Sequence, residues 1–374
     1  MSCPRLEVDL RKVRHNTRII VERLAVPGIR VTAVTKAVCG HPAIARAMLD
    51  GGAVGLAEAR LSNVKRLRQA GMACPITLIR TPMLSQVDDV VQYCEASYNT
   101  ERAVIAALAV AARQQNTVHG IILMVELGDQ REGIRPHDLG DMAQHVVDMP
   151  GVALKGIGAN FACLSGLAPT AAKMQALTVL ANDIDRQCGP FLETVSGGNS
   201  ANLPWALEQP AIGRINDLRL GEAILLGVDP VTGDQIDGLF SDAFTLVAEV
   251  IEVDVKSMQP VVSPADRSSM AGFQNAPDIS GTTRLILAVG QQDSDMTGLS
   301  MLVGTTLIGA TSDHLVISMP DPALCVGSEM RFKMGYAALM RATAAPDIQI
   351  HLSNDRPAQY APGADEPGTY LASV

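Results

Sequence analysis

Residues 120–126 read GIILMVE, a short and almost continuous apolar run that ends in a carboxylate. Runs of this length are typical of strands buried on both faces, as in parallel sheets covered by helices. An alanine-rich helical stretch at residues 101–115 precedes the run, with a turn between the two. This arrangement predicts an α/β fold with a parallel sheet.

Seven further β-rich runs alternate with helical stretches on either side of residues 120–126. They lie at residues 30–36, 53–56, 75–79, 96–98, 153–161, 192–196 and 215–220. Eight β/α units in this length are what a (β/α)8 barrel requires. A doubly wound open sheet is the alternative, but no glycine fingerprint follows the first of these strands. We therefore expect a (β/α)8, TIM-like barrel.

The pattern changes at the turn DPVTGD, residues 229–234, after which helical stretches become rare. Four β-rich runs follow, at residues 244–255, 283–289, 299–308 and 314–319. This predicts a mostly β C-terminal domain. The expected limits are 1–235 for the barrel and 236–353 for the β-rich domain. Residues 354–374, rich in proline, glycine and alanine, are expected to form a tail with little regular structure.

Composition excludes several classes of function. The formal net charge of −9 disfavours a nucleic-acid partner, which is normally bound by neutralising phosphates. No apolar run approaches the length of a membrane span, and the first residues lack a signal-peptide core. The seven cysteines are scattered without C-x-x-C pairs, which favours reduced thiols in a cytoplasmic protein over disulfides or a metal site. The expected partner is a small molecule.

Polar residues stand at the ends of the predicted barrel strands, where functional residues of such barrels lie. Lys36 closes the first strand, although for a lysine taken alone a solvated surface residue is the better interpretation. The serine- and glycine-rich turn at 196–200 ends the seventh strand, and its amides and hydroxyls could bind a phosphate. Arg219 ends the eighth strand. A lysine, a phosphate cradle and an arginine together predict a Schiff-base cofactor with a phosphate group.

Five segments carry a resemblance to a known family. They are VTKAVCGH at 34–41, LIRTPMLS at 78–85, ELGDQREG at 126–133, GIGANF at 156–161 and LRLGEA at 218–223. In this order they resemble the ornithine racemase-like branch of the alanine racemase superfamily, the fold-type III pyridoxal-phosphate enzymes. The resemblance runs from about residue 5 to residue 350. It implies pyridoxal 5'-phosphate as cofactor, amino-acid racemase activity and a homodimer with shared active sites.

Site residues are carried over by position. Lys36 matches the lysine that holds the cofactor covalently, Arg219 the arginine that bonds the pyridine nitrogen, and Arg131 the arginine that supports the phenolic oxygen. Asn160 is assigned to the cofactor site as well, although alanine racemases carry a histidine there. The phosphate ligands implied by the resemblance are Ser200, the amides of Gly221 and Glu222, and Tyr336 of the second domain.

The chain departs from the resemblance at the second catalytic group. Gln291 stands where alanine racemases carry a catalytic tyrosine, and an amide cannot act as a base near neutral pH. His314 and Asp313, in a segment that enters the partner's active site in alanine racemase-like dimers, are the replacement candidates, with Cys39 as a third. Ordinary loop residues and a packed thiol are the alternative interpretation of all three.

Gln291, Asp293 and Asp295 lie where the resemblance places the active-site loop of the second domain. Acidic residues there favour a substrate with a cationic side chain, such as ornithine or lysine. The simpler interpretation of these three residues is a solvated turn. The expected activity is racemisation, with Lys36 taking the Cα proton from the cofactor-bound substrate. A non-catalytic pyridoxal-phosphate homeostasis protein, a fold-type III decarboxylase (with Thr311 near the expected cysteine) and a cofactor-free barrel hydrolase remain alternatives.

Overall fold

The computed structural model describes residues 3–189, 192–208, 212–254, 282–320, 324–354 and 370–371. The chain divides into two compact units. One comprises Leu10–Ala243, and the other combines residues 1–9 with residues 244–374. We call them the barrel unit and the sheet unit.

The strands and helices are numbered in chain order. The strands are β1 Arg5–Asp9, β2 Arg30–Val34, β3 Gly55–Glu58, β4 Ile76–Leu78, β5 Ala96–Asn99, β6 His119–Val125, β7 Val152–Ala159, β8 Thr194–Ser196, β9 Asp217–Leu220, β10 Phe244–Asp254, β11 Thr283–Leu287, β12 Leu299–Leu302, β13 Thr306–Ala310, β14 Leu315–Met319, β15 Glu329–Met334, β16 Gln349–Ser353 and β17 Tyr370–Leu371. The helices are α1 Leu10–Ala25, α2 Pro42–Asp50, α3 Leu61–Gln69, α4 Val87–Tyr93, α5 Arg102–Gln114, α6 Leu139–Val147, α7 Ala171–Cys188, α8 Leu203–Glu208, α9 Glu222–Leu226 and α10 Tyr336–Ala344.

The barrel unit is a closed barrel of eight parallel strands, β2 to β9, in sequential order. β2 pairs with β9 and closes the ring, with Arg30 opposite Asp217 and Ala33 opposite Leu220. Every residue of β6 is buried, as expected for a strand covered on both faces. The expected (β/α)8 barrel is therefore confirmed.

Side-chain alternation along the strands determines which residues fill the barrel. Ala96 and Tyr98 of β5 cluster with Ile122 and Met124 of β6, and Ile79 packs against them. Residues of opposite parity, such as Ser97 and His119, are also buried but form a separate hydrogen-bonded pair. The period of two residues in a strand places the two sets on opposite faces of the sheet.

Helix α1 shows how the surrounding layer is specified. Its buried residues are spaced by three or four positions, which gives one apolar stripe along the helix: Leu10, Val13, Asn16, Thr17, Ile20 and Leu24. The one strongly polar member of this stripe, Asn16, is satisfied because its amide donates to the carbonyls of Ile224 and Phe240 and accepts the Phe240 amide. Burial of that asparagine is therefore tolerated.

The sheet unit is built on a nine-stranded sheet. Seven strands follow the order β13-β14-β11-β10-β15-β12-β17, and β1 joins β10 to β16. β1 is antiparallel to β10 and parallel to β16. With α10 as the one α-helix assigned among the described residues of this unit, the expected mostly β second domain is confirmed.

Three details differ from the sequence-based expectations. The first nine residues belong to the sheet unit and the barrel unit extends to Ala243, because β1 pairs with β10 and β16. The run at 299–308 is two strands rather than one, since Gly304 turns the chain at φ +83°. In the tail, β17 pairs with β12, while residues 355–369 and 372–374 lie outside the described residues.

No helix among the described residues combines the length and apolarity that crossing a membrane requires.

Candidate active site

Lys36 follows β2 at the carboxyl end of the barrel. It begins a short 3-10 helix, Lys36–Val38, which ends at Cys39 in the left-handed region with φ 50°. The amide of Cys39 donates to the carbonyl of Lys36 at 3.2 Å, and that of Gly40 to the carbonyl of Thr35 at 3.1 Å. These bonds fold the chain tightly just after the strand, so that the backbone of Lys36 is well defined.

A buried carboxylate supports the residue before Lys36. Glu58, at the end of β3, is fully buried and accepts the Thr35 hydroxyl at 2.9 Å. It also accepts the Asn63 amide at 3.2 Å and the backbone N–H of Ala59 at 3.0 Å. Burial raises the pKa of the Glu58 carboxyl, and these donors oppose the rise. Through the Thr35 hydrogen bond, Glu58 links the end of β3 to the residue that precedes Lys36 after β2.

Ser200 and the turn after β9, the predicted phosphate cradle, are in direct contact. The Ser200 hydroxyl accepts the amide N–H of Gly221 at 3.3 Å and that of Ala223 at 3.2 Å. A Cβ at Gly221 would lie 3.1 Å from Cβ of Val34, so glycine allows the turn to approach β2 closely. Gly198, with φ +111°, gives the same freedom to the turn that leads to Ser200.

Arg219 is buried, with 3% of its surface exposed. Its Nη1 donates to the Tyr98 hydroxyl at 2.9 Å and to Ser196 Oγ at 2.6 Å. Its Nη2 donates to the Ala159 carbonyl at 2.8 Å and to Asn160 Oδ1 at 2.7 Å. These four bonds use the four terminal hydrogens of the guanidinium, and the Nε–H is the donor left for a ring nitrogen.

A glycine makes room for this cluster. A Cβ at Gly158 would lie 3.1 Å from both Arg219 Nη1 and Tyr98 Cε1. The guanidinium carbon of Arg219 also lies 4.5 Å from the centroid of the Tyr98 ring. Burial raises the pKa of the Tyr98 phenol, although the charge of Arg219 opposes this, so the hydroxyl stays a neutral partner.

Arg131 and Asn160 occupy different environments. Asn160 is buried against Arg219, as above, whereas Arg131 lies in the loop after β6 with its side chain 34% exposed. There Arg131 forms a two-point ion pair with Glu132, at 2.5 Å and 2.7 Å. Asp129, in the same loop as Arg131, contacts the loop after β7, because its Oδ1 accepts the backbone N–H groups of Cys163 and Leu164.

Glu222 is electrostatically coupled to Lys36. Burial raises the pKa of the Glu222 carboxyl to about 7, the negative charge of Asp229 adds to the rise, and the positive charge of Lys36 opposes it. Lys36, Ser200, Arg219, Gly221 and Glu222 are thus brought together by strands β2, β8 and β9 at one end of the barrel.

These residues fit pyridoxal phosphate by the chemistry of their donors. A hydroxyl and backbone amides suit the phosphate, and the remaining Nε–H of Arg219 suits an unprotonated ring nitrogen. Lys36 supplies the amine for a covalent link. Among the described residues, no group of three or more His, Cys, Asp or Glu side chains could hold a metal ion.

The remaining predicted residues lie in the sheet unit, where two of their segments run side by side. The amide of Gln291 donates to the Thr311 carbonyl at 2.9 Å, and the Gln292 side chain to Asp313 at 2.7 Å. A Cβ at Gly290 would collide with the Ser312 carbonyl, so glycine permits this contact. The predicted substrate loop and the segment carrying Asp313 and His314 therefore form one surface.

Within that surface, several side chains have local partners. Asp293 accepts the Gly290 amide at 2.8 Å, and Asp295 accepts the Thr297 hydroxyl at 2.8 Å. The His314 ring is 3.4 Å from Thr311 Oγ1. Tyr336 begins α10, whose preceding residue, Gly335, donates to the Gly298 carbonyl at 2.7 Å.

Sequence reasoning missed Tyr98, Ser196 as an arginine partner, Glu58 and Asp217. Tyr98 could have been found, since alternation along β5 places it on the same face as Ala96. Asp217 begins β9 two residues before Arg219, so the same rule would have placed both side chains on one face. Glu58 gave no signal, because its partner Thr35 comes from a different strand.

Comparisons with known proteins agree with this geometry. The profile of the family "Alanine racemase, N-terminal domain" matches residues 8–230. An ornithine racemase of Acetoanaerobium sticklandii is 31% identical over 93% of this chain and 99% of that protein. A lysine racemase of Thermotoga maritima is 33% identical over 93% of this chain and 98% of that protein.

The fold is also found among solved structures. An alanine racemase from Streptomyces coelicolor superposes with a TM-score of 0.75 at 19% identity, covering 94% of this chain and 98% of that one. The sequence matches extend over nearly the whole chain, and Lys36, Ser200 and Gly221 lie at the same end of the barrel. The chain therefore belongs to the alanine racemase family of pyridoxal-phosphate-dependent amino-acid racemases.

Proposed function

We propose that this protein racemises a basic amino acid, ornithine or lysine, at Cα. The observation that carries the proposal is the convergence of Lys36, Ser200 and Arg219 at one barrel end, in a chain similar throughout to an ornithine racemase and a lysine racemase. Gln291, Asp293 and Asp295, two of them acidic, are the proposed substrate-binding residues.

The barrel residues divide the chemistry among them. Pyridoxal phosphate, when bound, withdraws electrons from Cα of an attached amino acid and makes its proton acidic. Lys36 holds the cofactor and then serves as the base on one face of Cα. Ser200 with the amides of Gly221 and Glu222, and Tyr336 by resemblance, hold the phosphate. Arg219, permanently charged, keeps the ring nitrogen unprotonated, and Arg131 and Asn160 complete the cofactor site.

A proton must also reach the opposite face of Cα, a role that the resemblance assigns to a tyrosine whose position holds Gln291 in this chain. We assign this role to His314 with Asp313 beside it, since an imidazole carries both a proton donor and a proton acceptor. Asn and Ala replacements of His314 are expected to lower turnover in both directions while leaving cofactor binding unchanged.

The test uses L-ornithine and L-lysine in deuterated water, with L-alanine as comparison. Exchange of the Cα proton and loss of optical rotation are expected for the basic substrates. Lys36→Ala is expected to abolish both, together with the visible absorbance of the holoenzyme, whereas Lys65→Ala, a change in a partly exposed ion pair with Asp89, is expected to retain them. An unexchanged Cα proton would indicate a cofactor carrier, and release of carbon dioxide a decarboxylase.

The homodimer and the cytoplasmic location remain part of the proposal. None of the seven cysteines, all of which lie among the described residues, forms a disulfide, which suits a reducing compartment. The resemblance implies that each active site takes a segment from the partner subunit. Mixing the inactive Lys36→Ala protein with the His314→Ala protein, whose turnover is lowered, is then expected to restore up to about a quarter of the wild-type activity, because each mixed dimer holds one intact site. Full activity of a monomer would contradict this.

A further inference from the structure

Asp217 is a buried carboxylate that the proposed reaction does not use. It begins β9 and is 4% exposed. Its Oδ1 accepts the Thr32 hydroxyl at 2.6 Å, and its Oδ2 accepts the Ser196 hydroxyl at 2.6 Å. With Tyr98 and Arg219 it lines a cavity of about 390 Å³ among the first residues of the barrel strands. Asp217 thus lies at the opposite end of the strands from Lys36.

The Ser196 hydroxyl forms hydrogen bonds with both Asp217 and Arg219, and these two bonds fix its orientation. A serine hydroxyl has one hydrogen, and Ser196 donates it to Asp217. The same oxygen accepts Arg219 Nη1 at 2.6 Å. Asp217 therefore fixes the hydroxyl rotor of Ser196 so that its lone pair faces the guanidinium.

The hydrogen-bonded link through Ser196 matters for the charge balance of Arg219, because the groups that contact Arg219 directly carry no charge. Its four contacting acceptors are two hydroxyls, a backbone carbonyl and a side-chain amide, all of them neutral. A buried guanidinium needs compensation, and Asp217 is a carboxylate one hydroxyl away. The other charged groups of the cavity rim make contacts of their own: Lys155 pairs with Glu193 at 2.6 Å and Glu95 with Arg68 at 2.6 Å, while Arg30 donates to the Glu193 carbonyl at 3.1 Å.

We propose that Asp217 is a positioning residue that acts through Ser196 on Arg219 and so sets the charge that the barrel presents to the cofactor ring. The inference rests on the proposed function, because it requires the cofactor to lie against Arg219. Without the charge of Asp217, the Ser196 hydroxyl is held less firmly with its lone pair towards Arg219, and the positive charge of Arg219 is less compensated at the ring. A more positive neighbour favours the deprotonated form of a titrating group.

The experiment measures the absorption spectrum of the holoenzyme at a fixed pH, in four variants. Asp217→Asn removes the charge, Ser196→Ala removes the link, and the double variant removes both. Thr32→Val is the matched control, since it removes the other hydrogen bond to Asp217 and leaves Ser196 in place. The ratio of the deprotonated to the protonated form of the imine that joins the cofactor to Lys36 is expected to rise about tenfold in Asp217→Asn. Thr32→Val is expected to keep the wild-type ratio.

A double-mutant cycle tests whether the effect passes through Ser196. If it does, Asp217→Asn changes the spectrum much less in the Ser196→Ala background than in the wild type. Independent, additive effects of the two substitutions would overturn the proposal, as would a wild-type spectrum in Asp217→Asn. Should Asp217→Asn fail to fold, Ser196→Ala, which removes one oxygen atom, is decisive: its spectrum must differ from the wild type.

The same samples are assayed with L-ornithine, which separates the two proposals. Absence of turnover with the wild-type absorbance intact would refute the racemase proposal and leave the spectral cycle valid. An unchanged spectrum across the variants, with turnover present in the wild type, would refute the role of Asp217 alone.

Discussion

The functional interpretation of Lys36 depends on residues that are remote from it in sequence. A lysine after a strand is an ordinary surface feature, but here Ser200 and Gly221 bond each other at 3.3 Å at the same end of the barrel. The barrel residues assigned from the sequence lie in a strand or in the loop that follows one, as the parallel pattern predicted. The partners of Arg219 were not foreseen, because they come from three different strands: Tyr98, Ala159 and Ser196.

The raised pKa of Glu222 leads to a prediction of how the unfolding free energy depends on pH. Its pKa is raised to about 7 in the folded chain, so the folded protein keeps a proton that the unfolded chain loses above about 4.5. The unfolding free energy contributed by this group is therefore lost as pH rises through that window. In the cofactor-free protein, Glu222→Gln is expected to gain about 1 kcal/mol over the wild type at pH 8, allowing for partial contact with solvent.

Urea unfolding at pH 5 and pH 8 measures this difference. Glu101→Gln, at an exposed glutamate, is the control and should show the same difference from wild type at both pH values. If Glu222→Gln gains no stability relative to wild type as pH rises, burial of this carboxyl is not the dominant effect.

Among the elements, the paired strands β5 and β6 illustrate what periodicity predicts and what it omits. Their positions follow from short apolar runs, and their inner face follows from alternation. The outer face holds a polar pair, Ser97 and His119, with Ser97 Oγ 2.8 Å from His119 Nε2. Single-residue patterns do not reveal this pair, because its members belong to neighbouring strands.

His119 gives these strands a second, opposite dependence on pH. Burial lowers the pKa of His119 from 6.5 to about 4, so between these values the unfolded chain binds a proton that the folded protein does not. Unfolding free energy should therefore fall as pH is lowered from about 6.5 towards 4, by up to about 1.4 kcal/mol per pH unit. The loss should be absent from His119→Asn.

The readout is the difference between wild type and variant at pH 7.5 and at pH 5, which separates this effect from that of Glu222. His137→Asn is the matched control, since the His137 side chain is 71% exposed. Equal pH slopes for wild type and His119→Asn would contradict the prediction.

Across the whole molecule, the order of elements in the chain differs from their order in space. β1 lies between β10 and β16, with Leu6 opposite Leu246 and Ile350. Leu6 is fully buried there. The first residues of the chain are thus part of the core of a unit whose other residues begin at Phe244.

This placement predicts a large effect of one early residue. Leu6→Ala should lower the unfolding free energy by roughly 2–5 kcal/mol, because it removes buried apolar contacts and leaves a cavity. Val326→Ala, at a position 61% exposed in the same unit, should change it by less than about 0.5 kcal/mol. Denaturant unfolding distinguishes the two, and a small effect at Leu6 would show that β1 contributes little to the core.

The amino-acid sequence alone determined the barrel, the mostly β second unit and the strand ends that carry Lys36, Ser200 and Arg219. It could do so because hydrophobic periodicity and turn residues are local signals. Only the tertiary structure decided the membership of β1, the support of Thr35 by Glu58 and the link from Asp217 through Ser196 to Arg219. Those features depend on register and barrel closure, which bring together side chains that are distant along the chain.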